Sequence, residues 1–474
     1  MSVKNEHVNY ATMKPEWDKC LDFVTSEKAV HAKGETYLPK LSEQDDDEYK
    51  VYKARSPVVM FAQRAGKAMT GMAGRKEPYV MGKDLVEELI DEIDADKNDL
   101  ASYVAALLLR FLFTGRSATL VDVPTVNANL TVLQAEEQGI RPRFIYYREK
   151  DILNWRMERV NNINTLVFLV LREEVSEIES EFDWKPAYQY RVLDLIDGKY
   201  RVRLYDNDGV EIPNSETFPR KKGAFMTFIP VIIHGGVEPI DPPLNGIVDI
   251  NKHHYQLGAD EMHGLRMAAL PTPYFFGCDP EDDDFPNHVG PSRVIGHSDT
   301  DAKTGFREFS GAGLQTVASK LQKFEDVIAM LSVQMTTEKA NASATGSAID
   351  YANATATLAG VVDVLSSELE TALQYAADWD GINPEEIGLT LNKDFMPGGM
   401  TAQDLLAQLQ LYLQGTISYS TFYKNIAKGE YADPHKTPEE EREEIEQDIP
   451  PGLNRDTGTE DNLDDDNADD GGTQ

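Results

Sequence analysis

Cysteine is nearly absent from this 474-residue chain: Cys20 and Cys278 are the only two. They are too few and too far apart for a disulfide framework or a zinc site. A reducing compartment fits that usage. Basic charge is also scarce. Lysine and arginine number 46 against 81 aspartates and glutamates, a formal net charge of -35. From Tyr431 onward 16 acids face 3 bases, which leaves -22 on the first 430 residues, so acidity is not confined to the tail. Sequence-independent nucleic-acid binding needs a basic footprint, because its affinity comes from cations displacing counterions from phosphates. The sequence carries no such stripe. Its acidity suits solubility, or a surface that lets a polyanion pass without holding it.

Long apolar runs are missing too. Leu166–Leu171 and Tyr103–Phe113 are the longest, short of the roughly 18 residues of a membrane span. The opening MSVKNEHVNYATMKPEW has no apolar core of a signal peptide, so the expectation is a protein made in the cytosol. No Walker-type loop, dinucleotide fingerprint or nucleophile elbow is present, and the nine histidines are scattered. No catalytic, cofactor-binding or metal-binding residue is therefore assigned, and the chain is read as a non-enzyme. His253, His254, Asp260, Glu261 and His263 share one helix. Neither His253 nor His254 has a His or Glu four residues on, the spacing a helical zinc site needs, so they read as a polar helix surface. Asp206-Asn207-Asp208-Gly209 lacks the distal Glu of a calcium loop and reads as a turn. Gly115-Arg116-Ser117 reads as a helix cap rather than a phosphate loop.

What is present is ordered along the chain. Residues 1–50 are mixed and polar, with Tyr37, Leu38, Pro39 and Leu41 ahead of the acidic run Glu43–Glu48. Ser56-Pro57 has the form of a helix start, followed by Met60, Phe61, Ala65, Ala68, Met69 and Met72 on a close-packed core face. Asp84 opens a further helix with Glu87 and Glu88 in its first turn. Leu100–Phe113 is an apolar helix ended by Gly115, and Ala118–Val123 a buried strand. From Arg143 to His234 the pattern has period two, with Asp197-Gly198 as a hairpin turn. Ile247–Ala268 is helical. Leu270–Ser310 is a small β-type insertion, with strand pieces at Pro273–Phe276, Arg293–Ile295 and Phe306–Phe309.

The stretch Ala312–Trp379 organises the rest. Leu314, Val317, Leu321, Phe324, Ile328 and Leu331 form one helical stripe, and Leu358, Val362, Leu365, Leu369, Leu373 and Ala376 another. Between them Thr336–Asn353 has almost no bulky apolar residue and reads as a mobile polar loop running into a helix start. Ile387–Phe395 alternates as a strand. Met400–Gly429 is a helical pair capped at Thr401 and Ser418, and the last forty or so residues read as disordered. The fold class is α+β.

In this order of parts the chain resembles tailed-bacteriophage portal proteins, and more closely a portal-like phage family long catalogued as a domain of unknown function. The resemblance is carried by Tyr37-Leu38-Pro39-Lys40-Leu41, by MTGMAGRKEP at Met69–Pro78 and by TGRSATLVDVP at Thr114–Pro124. HYQLGADEMHGLRMAALPTPYFFG at His254–Gly277, Gly290-Pro291-Ser292 and Gly415-Thr416-Ile417-Ser418 add to it. It spans residues 15 to 435.

The resemblance implies a portal fold with wing, stem, clip and crown. Residues 1–243 would be N-terminal helices and wing, 244–269 the first stem helix, 270–311 the clip and 312–335 the second stem helix. Residues 336–350 would be the tunnel loop, 351–398 a long helix and a wing strand, 399–432 the crown, and 433–474 a disordered acidic tail. It implies a ring homo-oligomer, a dodecamer, at the portal vertex of a virion, assembled in the host cytoplasm without a membrane. The implied partners are double-stranded DNA in the channel, the terminase large subunit, a head-tail adaptor, and major capsid and scaffold proteins. Lys320, Lys323, Lys339, Asn341, Ser343 and Thr345 are the candidate channel residues, and Asp282, Asp283, Asp284, Phe285 and His288 the candidate terminase- or adaptor-facing clip residues. The alternatives are another head-tail connector or vertex component, and an uncharacterised hydrolase, which needs acids or histidines converging on a pocket.

Overall fold

A computed structural model describes residues 2–42, 44–122, 140–221, 223–269, 272–277, 301, 303–307, 311–332, 344–395, 402–433 and 436–447. The chain divides into two units, Met1–Phe395 and Met396–Gln474. The first is α+β.

Its N-terminal part is helical: α1 Val8–Thr25, α2 Glu27–Ala32, α3 Asp46–Arg55, α4 Phe61–Ala73, then strand β1 Tyr79–Met81, α5 Glu87–Asp91 and α6 Leu100–Thr114. The first fifty residues, polar by composition, are thus mostly helix. Their large apolar side chains reach the core, where Trp17, Cys20 and Phe23 are all buried. α3 begins in a capping box, with Asp45 accepting from the Glu48 amide and the Glu48 carboxylate accepting from the Asp45 amide. Ser56 does not start a helix, contrary to the sequence pattern. Its hydroxyl donates to Tyr52 O and its amide to Lys53 O, closing α3. The next helix waits until Phe61 because the backbone between is held by side chains from elsewhere: the Val58 amide donates to Glu27 Oε1, and Val59 O accepts from Asn251.

Strand β2 Ser117–Asp122 is the centre of an antiparallel sheet, between β3 Arg143–Arg148 and β10 Val231–His234. The period-two region supplies a four-stranded meander of β4 Ile152–Val160, β5 Ile163–Ser180, β6 Asp183–Ile196 and β7 Lys199–Tyr205. Asp197 and Gly198, both at positive φ, make the β6–β7 turn. A two-residue ribbon, β8 Arg220–Lys221 with β9 Ala224–Phe225, follows. Two apolar cores result. One joins α3, α4 and α6 to later helices, and the other fills the sheets and takes Tyr10 and Trp17 from α1.

After the sheets come α7 Asn245–Ala269, the antiparallel hairpin β11 Thr272–Phe276 with β12 Lys303–Arg307, α8 Leu314–Leu331, α9 Ala344–Asp380 and β13 Gly388–Thr390. Three boundaries differ from expectation. α8 ends at Leu331, where Ser332 leaves the helical region. α9 begins at Ala344, so the C-terminal part of the stretch read as loop is helical. β13 spans three residues and pairs with β1, as Val80 with Leu389, not with the strands of 143–234. It is fastened to α9 instead: the Ser366 hydroxyl donates to Leu389 O, Glu370 Oε2 accepts from the Leu389 amide, and Gln374 donates to Ile387 O.

In the second unit, α10 Ala402–Leu413 and α11 Tyr419–Lys428 form the expected pair, with Ser418 Oγ accepting from the Thr421 amide. The expectation of disorder from 433 onward fails at α12 Pro438–Gln447. Thr437 and Glu440 cap it reciprocally, and Glu439, Glu440 and Glu441 sit in its first turn, where the helix dipole favours acids. The Arg442 guanidinium lies 5.0 Å from the Tyr419 ring centroid.

Candidate functional site

The N-terminal half of α7 is core. Ile247, Val248, Asn251, Tyr255 and Ala259 are buried. Asn251 accepts from the Ala62 amide at 3.1 Å and donates to Val59 O at 2.8 Å, so a side chain of α7 caps α4. Tyr52 donates to Asp260 at 2.9 Å. Burial first, and then this carboxylate acceptor, push its phenol well above the usual range. From Asp260 onward α7 is mostly exposed. α8 packs back along it: His254 Nε2 donates to Glu325 Oε1 at 3.3 Å, and Gly264 lies so close to Leu314 that a Cβ there would stand 2.7 Å from Leu314 Cδ2. The β11–β12 hairpin connects the two helices and presents Phe276 and Phe306, 64% and 59% exposed.

Of the channel candidates, Lys320 and Lys323 are exposed on α8, and the Lys320 ammonium sits 4.7 Å from the Phe324 ring centroid. Thr345 is in the first turn of α9, and its side chain is outside the described residues. Lys339, Asn341 and Ser343 lie outside the described residues, as do Asp282, Asp283, Asp284, Phe285 and His288. The structure therefore brings Lys320 and Lys323 together one turn apart. Of the helix histidines, His253 faces Gln256 at 3.3 Å, while His254 is buried against Glu325 and the Phe61 ring. Asp260 is engaged by Tyr52. Among the described residues no cluster of three His, Cys, Asp or Glu has metal-binding geometry.

Sequence reasoning missed one polar constellation. His234 Nδ1 meets Glu368 Oε2 at 2.9 Å, and the Gly235 amide donates to Glu368 Oε1 at 3.1 Å. Because a carboxylate only accepts, Nδ1 carries a proton and donates to it. The Thr119 hydroxyl shares one hydrogen bond with Nε2 at 2.7 Å and another with the Tyr103 hydroxyl at 2.7 Å. Burial holds that phenol far above its usual pKa. The order carboxylate, imidazole, hydroxyl is that of a hydrolytic triad. Thr119 and His234 are nonetheless fully buried, so no substrate carbonyl reaches the hydroxyl. The chain of bonds ties α6, β2, β10 and α9 together. Partners separated by 16, 115 and 134 residues leave no local signature.

No curated protein matches this chain. Solved structures similar to it include a chain of "Virion of native gene transfer agent (GTA) particle", at 13% identity and a TM-score of 0.38, covering 85% of this chain and 99% of that one. Another is from "Neck of empty GTA particle computed with C6 symmetry", at 14% identity, a TM-score of 0.39, and 85% and 99% coverage. A third is from "Neck of native GTA particle computed with C12 symmetry", at 14%, 0.37, and 84% and 98%. A family model described as "Domain of unknown function (DUF4055)" matches residues 243–380. That match begins just before α7 and ends with α9, so it takes in the helix pair, the hairpin and the long helix as one block.

Proposed function

We propose that this chain is a portal subunit, which assembles as a ring at one capsid vertex and forms the channel for packaging and ejecting double-stranded DNA. The observation that carries the reading is the block α7, β11–β12, α8, α9. In it a helix pair whose first helix is rooted in the core by Asn251 and Tyr255 is interrupted by a β hairpin, and a long helix follows. Two of the segments that carry the sequence resemblance, His254–Gly277 and Gly290-Pro291-Ser292, fall within the family match. In this reading α7 and α8 are the stem, the hairpin belongs to the clip that meets the terminase large subunit and later a head-tail adaptor, and residues 143–234 with 387–395 are the wing. The rest of the proposal is a dodecameric ring, contacts with major capsid and scaffold proteins, and a virion location after assembly in the host cytoplasm. Among the described residues no helix is long and apolar enough to cross a membrane.

A ring multiplies each subunit's charge, so an acidic chain gives a negative channel in which DNA slides. Light scattering of the purified full chain after size exclusion tests the reading: a mass of about twelve chains, or a neighbouring ring number, is expected from closed cyclic symmetry. In a packaging assay, Lys339→Glu should leave the ring intact and alter DNA packaging. Unchanged packaging with normal incorporation removes Lys339 from the channel. A connector other than the portal would also form a ring, but would not bind terminase.

A further inference from the structure

We infer that the outer face of α8 docks into the groove between α3 and α7 of the next copy of this chain. The inference names the contact surfaces of the ring proposed above and rests on that reading. It also assigns Lys320 and Lys323 to subunit contact rather than to DNA.

The groove has a volume of about 1010 Å³. Val51, Met262 and Met267 line it and are 43%, 44% and 47% exposed; Asp47, which pairs with Lys50 at 2.8 Å on the surface, and Glu48, whose carboxylate accepts the Asp45 amide, stand on its α3 wall. On α8, Leu321, Glu325 and Ile328 turn toward the molecule, while Lys320, Lys323, Val327 and Met330 follow one another at three-and-four spacing on the outer side. Val327 and Met330 are 37% and 52% exposed, and neither lysine has a carboxylate within 4 Å among the described residues. The two surfaces match in kind, each pairing apolar side chains with charges of opposite sign. The groove's Arg55 and Arg266 have a counterpart in Asp326, beside the stripe on α8.

The geometry excludes their meeting within one chain. His254, Gly264 and Ala268 of α7 face α8 and the residues leading into it. At 3.6 residues per turn, Ala259, Met262, His263, Arg266 and Met267 lie roughly half a turn away, on the groove side. Stripe and groove are thus on opposite sides of the helix pair and cannot touch within one molecule. Joining them between molecules is a head-to-tail contact of unlike surfaces, the kind that repeats around a ring. Between chains that each carry -35, a contact that sets lysines against acids also offsets part of the repulsion.

Two measurements on the full chain test this. The first is charge exchange: Lys320→Glu with Lys323→Glu should lower the assembled fraction at least tenfold at equal concentration, and adding Asp47→Lys should restore much of it. The second does not depend on that rescue. Val51→Cys and Met330→Cys are made separately in a Cys278→Ser background, and mild oxidation of the mixture should give a covalent dimer that neither variant gives alone. An intact ring with no mixed dimer overturns the docking surface and leaves the ring standing. A chain that stays monomeric and gives no mixed dimer overturns both.

Discussion

His234 shows how much one buried side chain can hold. Each hydrogen-bonding atom of its ring is occupied, and each partner comes from a different element: Thr119 on β2 and Glu368 on α9. Replacing it by alanine leaves the Thr119 hydroxyl and the Glu368 carboxylate facing a void. Unpaired buried polar groups cost about 1–3 kcal/mol each, more when charged. His234→Ala should therefore lower the urea midpoint by an amount equivalent to at least about 2 kcal/mol, and Glu368→Gln, which keeps the shape and an acceptor, by less. A loss for His234→Ala with none for Glu368→Gln would mean that the ring only fills space. None of this was legible in the sequence, because a histidine that completes a nonlocal network has the same neighbours in the chain as one that does not.

At the scale of elements, small residues set the distances. Gly66 in α4 lies against the buried ring of Phe113 in α6, and a Cβ at Gly66 would approach that ring to 2.3 Å. In an exposed helix glycine to alanine gains up to about 1 kcal/mol; here the ring blocks it. Gly66→Ala should destabilise, and a thermal melt shows the sign directly. Gly66→Ala combined with Phe113→Leu should be milder than the sum of the single changes, since the two positions share one contact. The close packing of this helix was readable from its run of Ala and Gly, and the long helices were readable because their stripes persist for many turns. Leu100 and the Ser418 cap were readable as helix starts, but the start of α4 was not. Ser56-Pro57 has the local form of a cap, yet Asn251 and Glu27, distant in sequence, decide where α4 begins. The helical content of residues 8–55 was hidden because polar faces dominate a segment that buries few, but large, side chains. The candidate site divides the same way. The paired helices and the intervening β segment were legible from period, whereas the groove beside α7 was not, because it depends on where α3 comes to rest.

For the whole molecule, charge is the term that grows with assembly. Residues 448–474 contribute a net -8 per chain, a quantity multiplied by every copy added to a ring. Truncation after Gln447 keeps α12 and should lower the chain concentration at which higher-mass species appear by several-fold at low salt. The difference should shrink at about 1 M salt, where screening confines charges to roughly 3 Å. A concentration series by light scattering at two ionic strengths measures both. A truncated chain that assembles less readily would instead make the tail an adhesive segment.

The attachment of α9 has a mechanical consequence. Ser366, Glu368, Glu370 and Gln374 bind neighbouring backbone within little more than two turns of the helix, and Leu358, Val361, Val362 and Leu365 are buried ahead of them, which puts the fulcrum at Leu358. Ala344 lies 14 residues before Leu358, about 21 Å along the axis at 1.5 Å per residue. A tilt of about 5° at the fulcrum therefore swings the start of α9 sideways by about 2 Å. A strain too small to break any of those four bonds becomes, at the far end of the lever, a displacement of the helix axis wider than a covalent bond.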